Sequence, residues 1–136
     1  MEKYILENDI VVFCITATSF PDGVMAVHEK LDEMVPFSIQ RKYFGLSRPN
    51  EKGVIVYKSA ATELGKGELA KLDMEELVIK KGNYISILVP DFKNNLSKIG
   101  EAFQQLIAQP DIDPQGWCVE CILKNEMMRC MVRLKS

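Results

Sequence analysis

The chain has 136 residues, of which 47% are hydrophobic and 26% charged, a balance that excludes disordered and collagen-like chains and fits one soluble domain burying roughly two thirds of its unfolded surface. Seventeen Lys and Arg against nineteen Asp and Glu leave a net charge of -2, with no basic block long enough to neutralise a row of phosphates, which argues against direct nucleic-acid binding. The longest uncharged, mainly apolar stretch, Ile10 to Ala17, is far short of the ~20 residues that span a bilayer.

Glu2, Glu7 and Asp9 stand where a signal peptide would carry positive charge. A cytoplasmic protein without membrane contact is therefore expected, with its four cysteines as reduced thiols. A domain of this size needs no metal or disulfide to hold it together, and no cofactor is expected.

In chain order, Tyr4 to Leu6 reads as an edge strand and Ile10 to Thr16, rich in Val, Ile and Phe, as a strand. A helix follows, with Val24, Val27, Leu31 and Met34 on one face, Ser19 or Asp22 as its cap and Pro36 beyond its end. Its other face carries His28, Glu29, Lys30 and Asp32. Strand-like runs cover Ser38 to Phe44 and Val54 to Ala60, and a Gly- and charge-rich connector covers 63–74. Leu77 to Lys80 adds a short strand and Asn83 to Leu88 a longer one. The second helix puts Leu96, Ile99, Phe103 and Leu106 on one face, with Asn94 or Asn95 as cap and Pro110 beyond. Trp117 to Leu123 and Met128 to Leu134 close the chain as strands.

Both helical stripes have spacing 3, 4, 3, and Leu96 follows Val24 by 72 residues with matching flanks. That pattern predicts one domain made of a duplicated strand-helix-strand-strand unit, in halves of about 1–62 and 75–136. The fold class is α+β, with two helices on one face of a largely antiparallel sheet and a ligand groove expected at the pseudo-two-fold axis.

Glu120 is the most informative residue, a carboxylate at the centre of the apolar strand Trp117-Cys-Val-Glu-Cys-Ile-Leu123. Alternation places Trp117, Val119, Cys121 and Leu123 on one face and Cys118, Glu120 and Ile122 on the other. A buried carboxylate must be hydrogen-bonded, paired or protonated, and in a pocket it would pair with a cation. The alternative is an edge position in water, or an ion pair with Arg129 or Arg133 on the next strand. Tyr43, Phe44, Tyr57, Tyr84 and Trp117 also fall on predicted strands, where they serve either as core or as flat walls for a planar or cationic molecule.

Cys118 and Cys121 have a zinc-like spacing, but residues three apart on a strand face opposite ways and no second pair exists. No metal site is assigned. His28, without a serine elbow or phosphate loop elsewhere, reads as a surface histidine. On the last strand, Met128, Cys130, Val132 and Leu134 point inward and Arg129, Met131 and Arg133 outward.

The duplicated unit, Tyr43-Phe44-Gly45-Leu46-Ser47 followed by Gly53-Val-Ile-Val-Tyr57, Ile79-Lys-Lys-Gly82-Asn-Tyr84, and Glu120 in the penultimate strand together resemble the GyrI-like effector-binding domain of AraC- and MerR-type transcription regulators. The resemblance covers nearly the whole chain; Val89-Pro-Asp-Phe-Lys93 departs from it, standing where the family often has a Gly-Pro-Tyr type turn. It implies a stand-alone module binding a small aromatic or cationic molecule, with Glu120 as anchor and Tyr43, Phe44, Tyr57, Tyr84 and Trp117 as walls. Two alternatives come with it: a small-molecule hydrolase using Glu120 as general acid or base, and an inhibitor module with a protein partner. The binding module, with no catalytic residue, is preferred.

Overall fold

The computed structural model describes residues 1–136, with eight strands and two helices in an α+β fold. The strands are β1 (Glu2–Leu6), β2 (Ile10–Thr16), β3 (Tyr43–Pro49), β4 (Ile55–Ala61), β5 (Glu75–Ile79), β6 (Gly82–Val89), β7 (Cys118–Ile122) and β8 (Met128–Arg133). The helices are α1 (Val24–Met34) and α2 (Leu96–Ile107). No helix is long and apolar enough to cross a membrane.

The chain forms two compact units, one continuous (Ile10–Ile79) and one interrupted (Met1–Asp9 with Lys80–Ser136). In the continuous unit the antiparallel strand order is β3-β4-β2-β5, with α1 packed on β4 and β2. In the interrupted unit it is β7-β8-β6-β1, with α2 packed on β6 and β8. The two orders correspond strand for strand. The fourth member is exchanged in sequence: β1 immediately precedes β2 but pairs with β6, and β5 immediately precedes β6 but pairs with β2.

Helix α1 buries the centre of its predicted stripe, whereas in α2 Leu106 and Ala102, the latter outside the predicted stripe, are buried and Ile99 and Phe103 are half-buried. Val27 and Leu31 of α1 are buried, Leu31 in a cluster with Phe13, Val35, Ala61 and Leu69, whereas the terminal Met34 is exposed. Ala102 and Leu106 of α2 face Val89, Phe92, Met128, Cys130 and Val132, and Leu96 is exposed.

The side-chain caps expected at the helix starts are absent. Gly23 occupies the α1 cap position, the Gly23 and Val24 amides donate to the backbone carbonyls of Ser19 and Pro21, and neither Ser19 nor Asp22 caps through its side chain. Asn95 stands at the α2 cap, but its side-chain amide donates to the Asp91 carbonyl.

The strand expected at Ser38 to Phe44 begins only at Tyr43. Arg41 accounts for the shift. Its guanidinium, with no exposed side-chain surface, donates to the carbonyls of Pro36 and Thr62 and to both carboxylate oxygens of Glu68, at 2.9 and 2.8 Å. Those bonds hold residues 36–42 out of the ladder and tie them to the connector. The guanidinium holds the Glu68 carboxyl well down, at about 2, and Glu63 is lowered by accepting from the amides of Ala70, Leu69 and Gly67.

Candidate functional site

Residues paired in register share a face of an antiparallel sheet, which sorts the candidate residues directly. Glu120 is in register with Cys130, which is in register with Ile87. Cys118 pairs with Val132 and Ile122 with Met128 on the same face. Glu120 thus projects, half-buried, on the face that carries the α2 core. Its charge, behind burial as the larger cause, raises the Cys118 thiol and pushes that of Cys130 up to about 12.

Arg129 is in register with Cys121 on the opposite face, where Arg133 also lies. Arg133 bonds Asp113 and Arg129 lies over Tyr4. Met131, expected outward, is only 2% exposed. Its face is covered as well, with Val119, Tyr84 and Ser86 buried beside it.

Trp117 is half-buried and lies just before β7 rather than within it. Tyr84 is buried on the face away from Glu120, its hydroxyl donating to the Lys80 carbonyl; burial, the leading cause, pushes its pKa up to about 12.

In the continuous unit, Tyr43 and Tyr57 lie on the α1 face of the sheet, while Phe44, consecutive with Tyr43, is buried on the other face. Tyr43 is level with Ala61 and Tyr57 with Ser47, so the tyrosines stand four residues apart along the ladder, about 13 Å. Gly45 and Ser59 occupy the row between them. Phe37 stacks on half-buried Tyr43 with ring centroids 6.2 Å apart, and Phe20 stacks on Tyr57 at 5.9 Å.

His28, expected at the surface, is half-buried over this row. Its Nδ1 lies 2.7 Å from Ser59 Oγ and its Nε2 2.8 Å from Tyr57 Oη. Burial lowers its pKa against an opposing pull from Asp32. The ring is therefore neutral at pH 7, with one hydroxyl donating to its bare nitrogen and the other accepting from its N–H. A legible signal existed: His28 is four residues after Val24 and three before Leu31, at the margin of the apolar stripe, and Tyr57 and Ser59 share one strand face by alternation.

No family model and no curated protein matches the sequence. Solved structures do share the fold over nearly the whole chain. An integron cassette protein from the mobile metagenome of Vibrio cholerae superposes with a TM-score of 0.74 at 11% identity, covering 98% of this chain and 94% of that one. A hydrolase from Listeria innocua gives 0.55 at 9% identity over 98% and 90%. A candidate transcription regulation protein from Staphylococcus aureus gives 0.56 at 11% identity over 100% and 99%. At these identities the likeness is one of fold.

Proposed function

We propose that this chain is a small-molecule-binding module of the GyrI-like kind, related to the effector domains of transcription regulators and taking an aromatic or cationic amphiphile. The observation that carries this reading is Glu120, a half-buried carboxylate on an otherwise apolar sheet face whose charge is felt by Cys118 and Cys130. A negative charge set among apolar side chains attracts a cation more strongly than the same charge in water. The full-length likeness to a candidate transcription regulation protein supports the same reading.

Among the proposed wall residues, Trp117 and Tyr43 are each half-buried. Phe44, Tyr57 and Tyr84, all 3% exposed or less, contribute by packing behind whatever lies on the surface.

The test is thermal unfolding with benzyltrimethylammonium and, as its uncharged counterpart, benzyl alcohol, on the native protein and Glu120→Gln. The cation raises the native midpoint in a concentration-dependent way, because it binds the folded state. The variant loses that rise; an equal rise in both proteins overturns the anchor role. A second reading, favoured by the likeness to the Listeria innocua hydrolase, uses Glu120 as general acid or base on a small electrophile. It requires product formation that disappears in Glu120→Gln while the ligand still binds.

A further inference from the structure

The sheet face turned away from α2 in the interrupted unit holds an arginine with no acidic partner. Arg129 is half-buried, its guanidinium carbon 4.4 Å from the centroid of the Tyr4 ring, and its Nη1 donates to Ser86 Oγ at 3.2 Å. Ser86 in turn donates to the Glu2 carbonyl at 3.4 Å. The ion pairs of Arg41 with Glu68, Lys58 with Glu75 and Arg133 with Asp113 do not involve Arg129.

A guanidinium has five N–H donors in a planar fork, and the protein uses one of them here. No fully buried side-chain donor lacks a partner, so the remaining Arg129 nitrogens keep some contact with solvent on this half-covered face. The Tyr4 ring, with the guanidinium carbon over it, restricts where the Arg129 head group sits. Leu88, in register with Arg129 and half-buried, supplies an apolar flank. Glu2, exposed and in register with Ser86, is the acidic side chain on this face of β1. Glu120 faces the other side of the sheet.

The geometry points to a binding site for a small organic carboxylate at Arg129, held by the N–H edge of the guanidinium, with Tyr4 and Leu88 against the apolar body of the acid. The fork of Arg matches the two oxygens of a carboxylate, which a point charge does not. This site differs from the one proposed at Glu120 in place and in the sign of its ligand.

The experiment is a titration of the full-length protein with benzoate, with neutral benzamide and with inorganic phosphate, followed by the Arg129 side-chain Nε–H signal in nitrogen-resolved NMR. Benzoate shifts that signal saturably and benzamide does not. Arg129→Gln weakens benzoate binding by about tenfold or more, and Arg129→Lys by several-fold because the bidentate contact is lost. Glu2→Gln strengthens it by removing a like charge. Equal shifts with benzamide, or unchanged affinity in Arg129→Lys, overturn the site, and the lysine variant decides if the glutamine one does not fold. Tighter binding of phosphate than of benzoate overturns the carboxylate assignment.

Discussion

Both ring nitrogens of His28 are engaged by hydroxyl groups, Ser59 at Nδ1 and Tyr57 at Nε2. Each hydroxyl can donate or accept and so serves either protonation state; the preference for the neutral ring comes from its burial. Burial lowers the pKa of His28 from its ordinary 6.5, so as pH falls below that value the unfolded chain takes up the proton first. Stability is then complete above about pH 6.5 and declines as pH drops toward the folded pKa. The urea midpoint should fall between pH 8 and pH 5.5 in the native protein and fall less in His28→Gln. A midpoint equally sensitive in both proteins would remove His28 from the account. Glu68 acts in a lower window: the Arg41 guanidinium holds its carboxyl at about 2 against an ordinary 4.5, so its contribution is present above 4.5 and is lost toward pH 2. The separation of windows keeps the histidine measurement clean.

At the scale of an element, two glycines on helices make opposite demands. A Cβ added at Gly23 would meet the Ser19 carbonyl oxygen at 2.7 Å, whereas one added at Gly100 in α2 meets nothing within 4 Å. Gly23→Ala should therefore destabilise by about 1–3 kcal/mol through the clash, despite alanine's better helix propensity. Gly100→Ala should stabilise by about 0.5–1 kcal/mol, since glycine in a helix interior is unfavourable. Chemical denaturation of both variants checks the pair; similar changes for the two would mean the loop before α1 gives way.

Element positions were largely legible because periodicity reports which face is buried: β2 was predicted to the residue, and α1 spans the stripe from Val24 to Met34. The caps and β3 were not, since their positions depend on partners distant in sequence. Arg41 reaches Glu68 across 27 residues, and no local pattern announces that pairing.

For the whole molecule, the exchange of β1 and β5 makes residues 1–9 part of the sheet formed by residues 80–136. Five residues of β1 pair with β6, and Asp9 accepts a hydrogen bond from the Lys81 amide at 2.8 Å. Deleting Met1–Asp9 should accelerate amide hydrogen exchange along β6 and β8 more than along β2 and β4. Uniform acceleration, or none, would show that β1 contributes nothing local to its sheet.

The sequence by itself determined the α+β class and the strand face of Glu120, because each follows from a short-range period of two or 3.6 residues. It also separated Cys118 from Cys121. Only the tertiary structure decided that His28 is enclosed by Tyr57 and Ser59 and that Arg129 lies over Tyr4. Those outcomes depend on which strand lies beside which and in what register. A strand's period of two says which residues share a face but does not name the strand beside it, and only the pairing of whole faces decides that.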